Sequence, residues 1–159
     1  MDTQILIGLL LTVLPIFELR GGLPIIIEYL VKNNLSIWPY FLLVLILNIS
    51  IIFLIFMFLD FLHEKFMRLR WYKKIIGKIL LKIQKKADKI EIKMNKWGYL
   101  ALMLFVAIPL PGSGVWTGTL VAWIIGLNRS KSFFAIAAGT IIAGLLVLLL
   151  SLGIFAGFH

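Results

Sequence analysis

Four long apolar blocks, two short polar stretches and one long basic one set the pattern of this chain, the blocks being residues 5–31, 38–59, 97–127 and 133–158. The second is broken only by Asn48 and Ser50, and the fourth carries Gly139, Gly144 and Gly153. Each is long enough to cross a hydrocarbon core of ~30 Å, so both are expected to be transmembrane helices. Small residues such as those glycines let membrane helices approach closely, and Asn48 is expected to hydrogen-bond across helices.

The first and third blocks carry breaks. Phe17-Glu18-Leu19-Arg20-Gly21-Gly22-Leu23-Pro24 interrupts one, and Pro109-Leu110-Pro111-Gly112-Ser113-Gly114 the other. Ten apolar residues precede Pro15 and twelve precede Pro109. At ~1.5 Å per residue these runs cover about half a bilayer. Proline removes a backbone donor and glycine loosens the chain. Each block is therefore expected to be a re-entrant hairpin of half-helix, turn and half-helix, with a kinked full helix as the alternative.

The halves also repeat. A gapless shift of 94 residues sets Pro15 on Pro109, Pro24 on Gly118 and Ser36 on Ser130. The expected fold is all-α and integral to the membrane: an inverted-topology repeat in one domain, residues 1–159. Residues 1–59 and 97–159 are the repeats, each a re-entrant hairpin plus one transmembrane helix, and 60–96 connect them.

Composition supports lipid as the solvent, since 62% of residues are hydrophobic and 14% charged, against about 25% charged in soluble domains. The amino terminus reads as mature structure, because Asp2 stands where a signal peptide needs positive charge. The net charge of +9 is concentrated in the connector, where twelve Lys or Arg face four acids between Asp60 and Lys96. That segment holds +8, which predicts a cytoplasmic position, both termini outside, and a multi-pass plasma-membrane protein. Leu62, Phe66, Leu69, Tyr72, Ile76, Ile79 and Ile83 recur at helical spacing. The connector is thus a basic amphipathic helix on anionic lipid, or a solvated helical hairpin. A basic run between membrane segments argues for lipid and against nucleic acid as partner.

The chemistry available is narrow. No cysteine is present, no metal or cofactor site is evident, and no nucleophile–base pair supports an enzyme. His63 and His159 stand alone in the sequence, and Asp60 lies at a helix end where a carboxylate stays wet. The candidate pathway draws Glu18, Arg20, Gly21, Gly22 and Pro24 from the first break. From the second it draws Pro109, Pro111, Gly112, Ser113, Gly114, Trp116 and Thr117. Charges in mid-membrane are costly and normally face a partner, cavity or water path. Glu18 is a candidate proton carrier and Arg20 its counter-ion or an anion-binding fork, or else the two pin the hairpin. Glu28 lies nearer the surface and is expected to snorkel. Gly112 to Gly114 leave backbone exposed for something to approach closely. Trp116 either stacks on a cation or fills space.

The stretches Phe17 to Pro24 and Ala107-Ile108-Pro109-Leu110-Pro111-Gly112-Ser113-Gly114-Val115-Trp116-Thr117-Gly118 resemble those of the putative small multidrug export protein family, related to the DedA superfamily of membrane proteins. The resemblance implies two re-entrant hairpins in an inverted repeat and a transport role, secondary transporter or lipid translocase. DedA relatives are associated with moving lipid carriers or phospholipids between leaflets, and their first-hairpin acid corresponds to Glu18. Arginines typically flank the proline of their second hairpin. Val106 and Gly112 stand there instead, which weakens the implication of an anionic phosphate substrate. The competing reading is a non-transporting scaffold that forms homo-oligomers or holds lipid.

Overall fold

The structure, a computed structural model, describes residues 3–66, 97–110 and 112–156. Among them are six helices and no strand: α1 Thr3–Val13, α2 Glu18–Lys32, α3 Trp38–Phe66, α4 Trp97–Ala107, α5 Val115–Ile125 and α6 Arg129–Ala156. Most of the predicted basic helical connector, and Pro111, lie outside the described residues.

Two helices are long and apolar enough to cross a membrane, over Trp38–His63 and Arg129–Ile154. Their 26 residues each extend about 39 Å at ~1.5 Å per residue, beyond a ~30 Å hydrocarbon core. The other four helices have 11 to 15 residues, about 16–22 Å, too short to span.

The short helices pair antiparallel. α1 meets α2 through glycine: a Cβ at Gly22 would lie 2.2 Å from the Gly8 carbonyl oxygen and 2.4 Å from Thr12 Cγ2. One at Gly8 would lie 2.4 Å from Ile26 Cγ1. Gly22 thus serves backbone-to-backbone approach rather than a turn. That corrects the first predicted break, which runs to Pro24. The chain reverses within residues 14–17, and Gly21, Gly22 and Pro24 lie inside α2. Pro24 costs α2 one helical donor, a loss tolerated where neighbouring helices pack tightly.

α4 and α5 pair similarly, Val106 and Leu102 of α4 filling the space beside Gly118 of α5. Gly126 ends α5 in the left-handed conformation, φ 76°, with its N–H on Trp123 and that of Leu127 on Ala122, the αL stop that glycine favours. Asn128 then caps α6, its Oδ1 accepting the Lys131 N–H at 3.2 Å.

The apolar core falls into two clusters. One gathers Ile5, Leu19, Leu23, Ile26, Ile27 and Leu30 of the first helix pair onto Phe41, Val44 and Leu45 of α3 and Ala143, Val147 and Leu148 of α6. The other gathers Leu102, Val106, Val115 and Ala122 of the second pair onto Ile51, Ile52, Ile55 and Phe56 of α3 and Ile136 of α6. α3 and α6 therefore run antiparallel, each lending one half to each cluster. α2 packs against α6, and α5 against α3.

The shift of 94 residues maps α1 onto α4 end to end, eleven residues each. Beyond that the halves drift apart. α5 starts 97 residues after α2, and α6 starts 91 after α3. The second turn (108–114) is three residues longer than the first (14–17), and α5 is four residues shorter than α2. A gapless alignment cannot follow both changes.

Candidate functional site

The tips of the two helix pairs meet, and Glu18 and Arg20 join them. Glu18 opens α2 with φ 50°, a left-handed conformation unusual for a residue with a Cβ and typical of strained functional positions. That turn aims its carboxylate away from its own helix. Oε1 accepts the Trp116 N–H at 3.1 Å and Oε2 the Val115 N–H at 3.2 Å. These are first-turn donors of α5, which no helix satisfies internally. A carboxylate there also meets the positive end of the α5 dipole. Glu18 is 5% exposed.

Gly114 makes the approach feasible. A Cβ on it would sit 1.5 Å from Glu18 Oε2. The close approach expected at the second break is thus made by Glu18 itself.

Arg20 binds the opposite kind of group. Its Nη2 donates to the carbonyls of Val106 (3.0 Å), Ile108 (3.1 Å) and Ser113 (3.2 Å), and its Nη1 to that of Leu110. These carbonyls belong to the C-terminal end of α4 and the turn after it, where helix acceptors are unpaired and the dipole is negative. No salt bridge joins Arg20 to Glu18 among the described residues. The counter-ion role therefore does not take the form of a direct contact. Each charge instead answers one helix end of the second pair, the acid the start of α5 and the guanidinium the end of α4. Charge-assisted bonds of this kind contribute about 1.5–3 kcal/mol each where geometry holds.

The remaining predicted residues divide between tie and turn. Ser113 is buried, and its hydroxyl donates to Ile108 (2.8 Å) and Leu110 (3.0 Å), closing the turn that Arg20 fills. Gly112 supplies φ 81° in open space. Pro109 lies in that turn, and Thr117 donates to the Gly114 carbonyl at 3.3 Å within α5. Trp116 ties the pairs together a second time, its Nε1 donating to the Val13 carbonyl at 3.2 Å. Neither predicted role for its ring includes that bond. Glu28 is partly exposed and pairs with Lys32 at 2.6 Å, a surface i,i+4 bridge.

Asn48 does not bridge helices as expected. Its Nδ2 donates to Val44 of its own helix at 3.0 Å, and its buried Oδ1 has no partner among the described residues.

A second cluster joins residues that stand singly in the sequence. Asp60 of α3 receives Arg129 of α6 at 2.5 and 2.7 Å and Trp123 Nε1 of α5 at 3.1 Å. The His63 ring meets Trp123 edge-on at 5.4 Å. Lone residues 60 to 69 positions apart give no sequence signal; only antiparallel packing of α3 and α6 brings them together. A groove of ≈ 560 Å³ lined by Phe53, Met57 and Phe134 opens beside this pair.

Two membrane-length helices and two short helix pairs tied at their tips by buried charge define a small all-helical protein of membrane type. The chain belongs to the family described as "Putative small multi-drug export protein", which it matches over residues 18–146, from the acid of the first tip well into α6. Neither a curated protein nor a solved structure matches it. Family and apolar helices together fit a membrane location and a transport role.

Proposed function

We propose that the protein is a secondary transporter or lipid translocase of DedA type, coupled to protons through Glu18, and that the helix pairs α1–α2 and α4–α5 are re-entrant hairpins of an inverted repeat. Reciprocal packing supports the repeat, since exchanging the halves turns the α2–α6 contact into the α5–α3 contact. The Asp60–Arg129 pair supports the topology. It sets the start of α6 beside the end of α3, and Asp60 opens the basic stretch that positive-inside counting assigns to the cytoplasm of a plasma-membrane protein. In that arrangement the termini lie outside, and the connector holds anionic lipid.

The observation that carries the proposal is the Glu18 carboxylate on the first two N–H groups of α5. A carboxylate accepts both bonds with full charge, whereas a protonated acid accepts them weakly and brings a proton that needs its own acceptor. One proton at Glu18 therefore changes the strength of the tie between the hairpin tips. Loosening it would part the tips and open a path from either side, the alternating access that inverted repeats support.

The engagement of Arg20 with four backbone carbonyls favours a second reading, a scaffold in which both charges only pin the hairpins and the fold serves homo-oligomers or lipid contact. One set of proteoliposomes separates the two. With a pH gradient imposed, flux of ethidium and of a fluorescent phospholipid is followed for the native chain, for Glu18→Gln and for the apolar pair Glu18→Leu/Arg20→Met. Coupled transport predicts at least a tenfold loss in Glu18→Gln. Unchanged pH-driven flux in that variant removes the coupling, and in a parallel assay in cells full phenotype with the apolar pair establishes the scaffold.

A further inference from the structure

The two apolar clusters leave a gap between them, and polar side chains fill it. Along α3, Val44 and Leu45 belong to one cluster and Ile51 and Ile52 to the other, with Asn48 between. Along α6, Ile136 belongs to one and Ala143 to the other, with Thr140 between. Asn48 and Thr140 lie ten and eleven residues into their helices, about 15–17 Å along the axis, the middle of a ~30 Å core. Glu18 also stands between the clusters, next in sequence to Leu19 of the first and bonded to the Val115 N–H of the second. Asn48 and Thr140 are both 0% exposed. A polar layer thus crosses the bundle where the hairpin tips meet.

The hydrogen-bonding sense of that layer is one-sided. Thr140 gives its hydroxyl proton to Ile136 at 2.8 Å within its own helix. Only oxygen lone pairs remain. The Asn48 amide is fixed in orientation, because the group facing the Val44 carbonyl must be the nitrogen. Its Oδ1 is therefore an acceptor, buried, with no donor among the described residues. Buried polar atoms in native folds are satisfied, and one without a protein partner points to a water or a ligand. Two other buried atoms lack a partner among the described residues: Ser132 Oγ, in the first turn of α6 and away from this layer, and the Nε–H of Arg20. That N–H, however, belongs to a guanidinium faced by four carbonyl oxygens, an environment that repels an anion.

We infer that this mid-bundle layer, with Asn48 as its free acceptor, selects solutes that donate hydrogen bonds, and among charged solutes those that carry N–H groups, amines or guanidines. The inference rests on the transport reading and gives its substrate class. When the tips part, a passing solute meets acceptors at Asn48 and Thr140 and the carboxylate of Glu18. A quaternary cation of equal charge offers those acceptors nothing, and an anion is repelled by them.

Three probes of one ring size separate the cases: benzylguanidinium with N–H donors, benzyltrimethylammonium with none, and the anion phenylacetate. Binding is read by thermal shift of the purified full-length protein, and transport by solid-supported-membrane current in proteoliposomes. Benzylguanidinium is expected to bind at least tenfold more tightly than benzyltrimethylammonium, with phenylacetate silent. Asn48→Leu and the isosteric Thr140→Val should each lower that preference at least fivefold. Asn48→Leu should melt no lower than the native chain, since it removes an unsatisfied group. Equal binding of the two cations, preference for phenylacetate, no binding of any probe, or an unchanged preference in both variants each overturns the inference. Donor-selective binding without current leaves the site standing and sinks the transport reading instead.

Discussion

Glu18 and Gly114 are fitted to each other: the carboxylate of one occupies the volume that a side chain on the other would need. Gly114→Ala must therefore push Glu18 away from the Val115 and Trp116 N–H groups. Overpacking costs about 1–3 kcal/mol, and loss of charge-assisted bonds about as much again. The expected drop is roughly 2–5 kcal/mol, read as the denaturation midpoint in detergent. Gly112→Ala is the control, for it meets no neighbour and pays only for its φ of 81°, about 1–2 kcal/mol. Equal losses in the two variants would mean that Glu18 does not hold the tip.

Arg20→Lys should behave as a severe change despite keeping the charge. The guanidinium reaches four carbonyls at once, and an ammonium with three donors on a shorter head cannot reproduce that fork. A loss of about 2–4 kcal/mol is expected from the missing charge-assisted bonds. A lysine variant that melts with the native chain contradicts the carbonyl-cage account.

Much of this site is legible from residue types and little from spacing. Proline and glycine at residues 15 and 109–114 mark both reversals correctly, because no helix runs unaided through such a stretch. Gly21, Gly22 and Pro24 mislead for a definite reason. Glycine serves turns and close helix packing alike, and only the partner backbone at Gly8 tells which. Glu18 and Arg20 stand out because lipid makes charge expensive, yet the groups they bind are main-chain atoms some 90 residues away, invisible to any side-chain pattern. Asn48 reads from sequence as a bridge between helices. Its choice of Val44 instead is local competition that a helix always offers a short amide.

The Asp60–Arg129 pair gives a contrast with the tip. Its Arg129 side chain is 64% exposed, and pairs of that kind contribute about 0–1 kcal/mol and weaken with salt. A double-mutant cycle with Asp60→Asn and Arg129→Gln should show coupling below about 1 kcal/mol. Raising salt from low to molar strength should erase most of it. Trp123→Phe, which removes the indole donor to Asp60, should lower the stability further without changing the salt dependence. Coupling that survives molar salt would place the pair in a far drier setting than its exposure indicates.

The left-handed backbone of Glu18 permits one test whose sign is unusual. Inside a helix, glycine is about 1 kcal/mol worse than alanine. At φ 50° the order should invert, since a Cβ costs about 1–2 kcal/mol in the left-handed region and glycine almost nothing. Glu18→Gly and Glu18→Ala both lose the carboxylate tie to α5, so the tie cancels when they are compared. Glu18→Gly should then melt above Glu18→Ala by an amount equivalent to about 1 kcal/mol, and both below the native chain. Alanine as the better replacement would show that residue 18 relaxes to ordinary helix once its carboxylate is gone. The strained turn would then be a consequence of the tie to Val115 and Trp116 rather than a fixed feature of the hairpin.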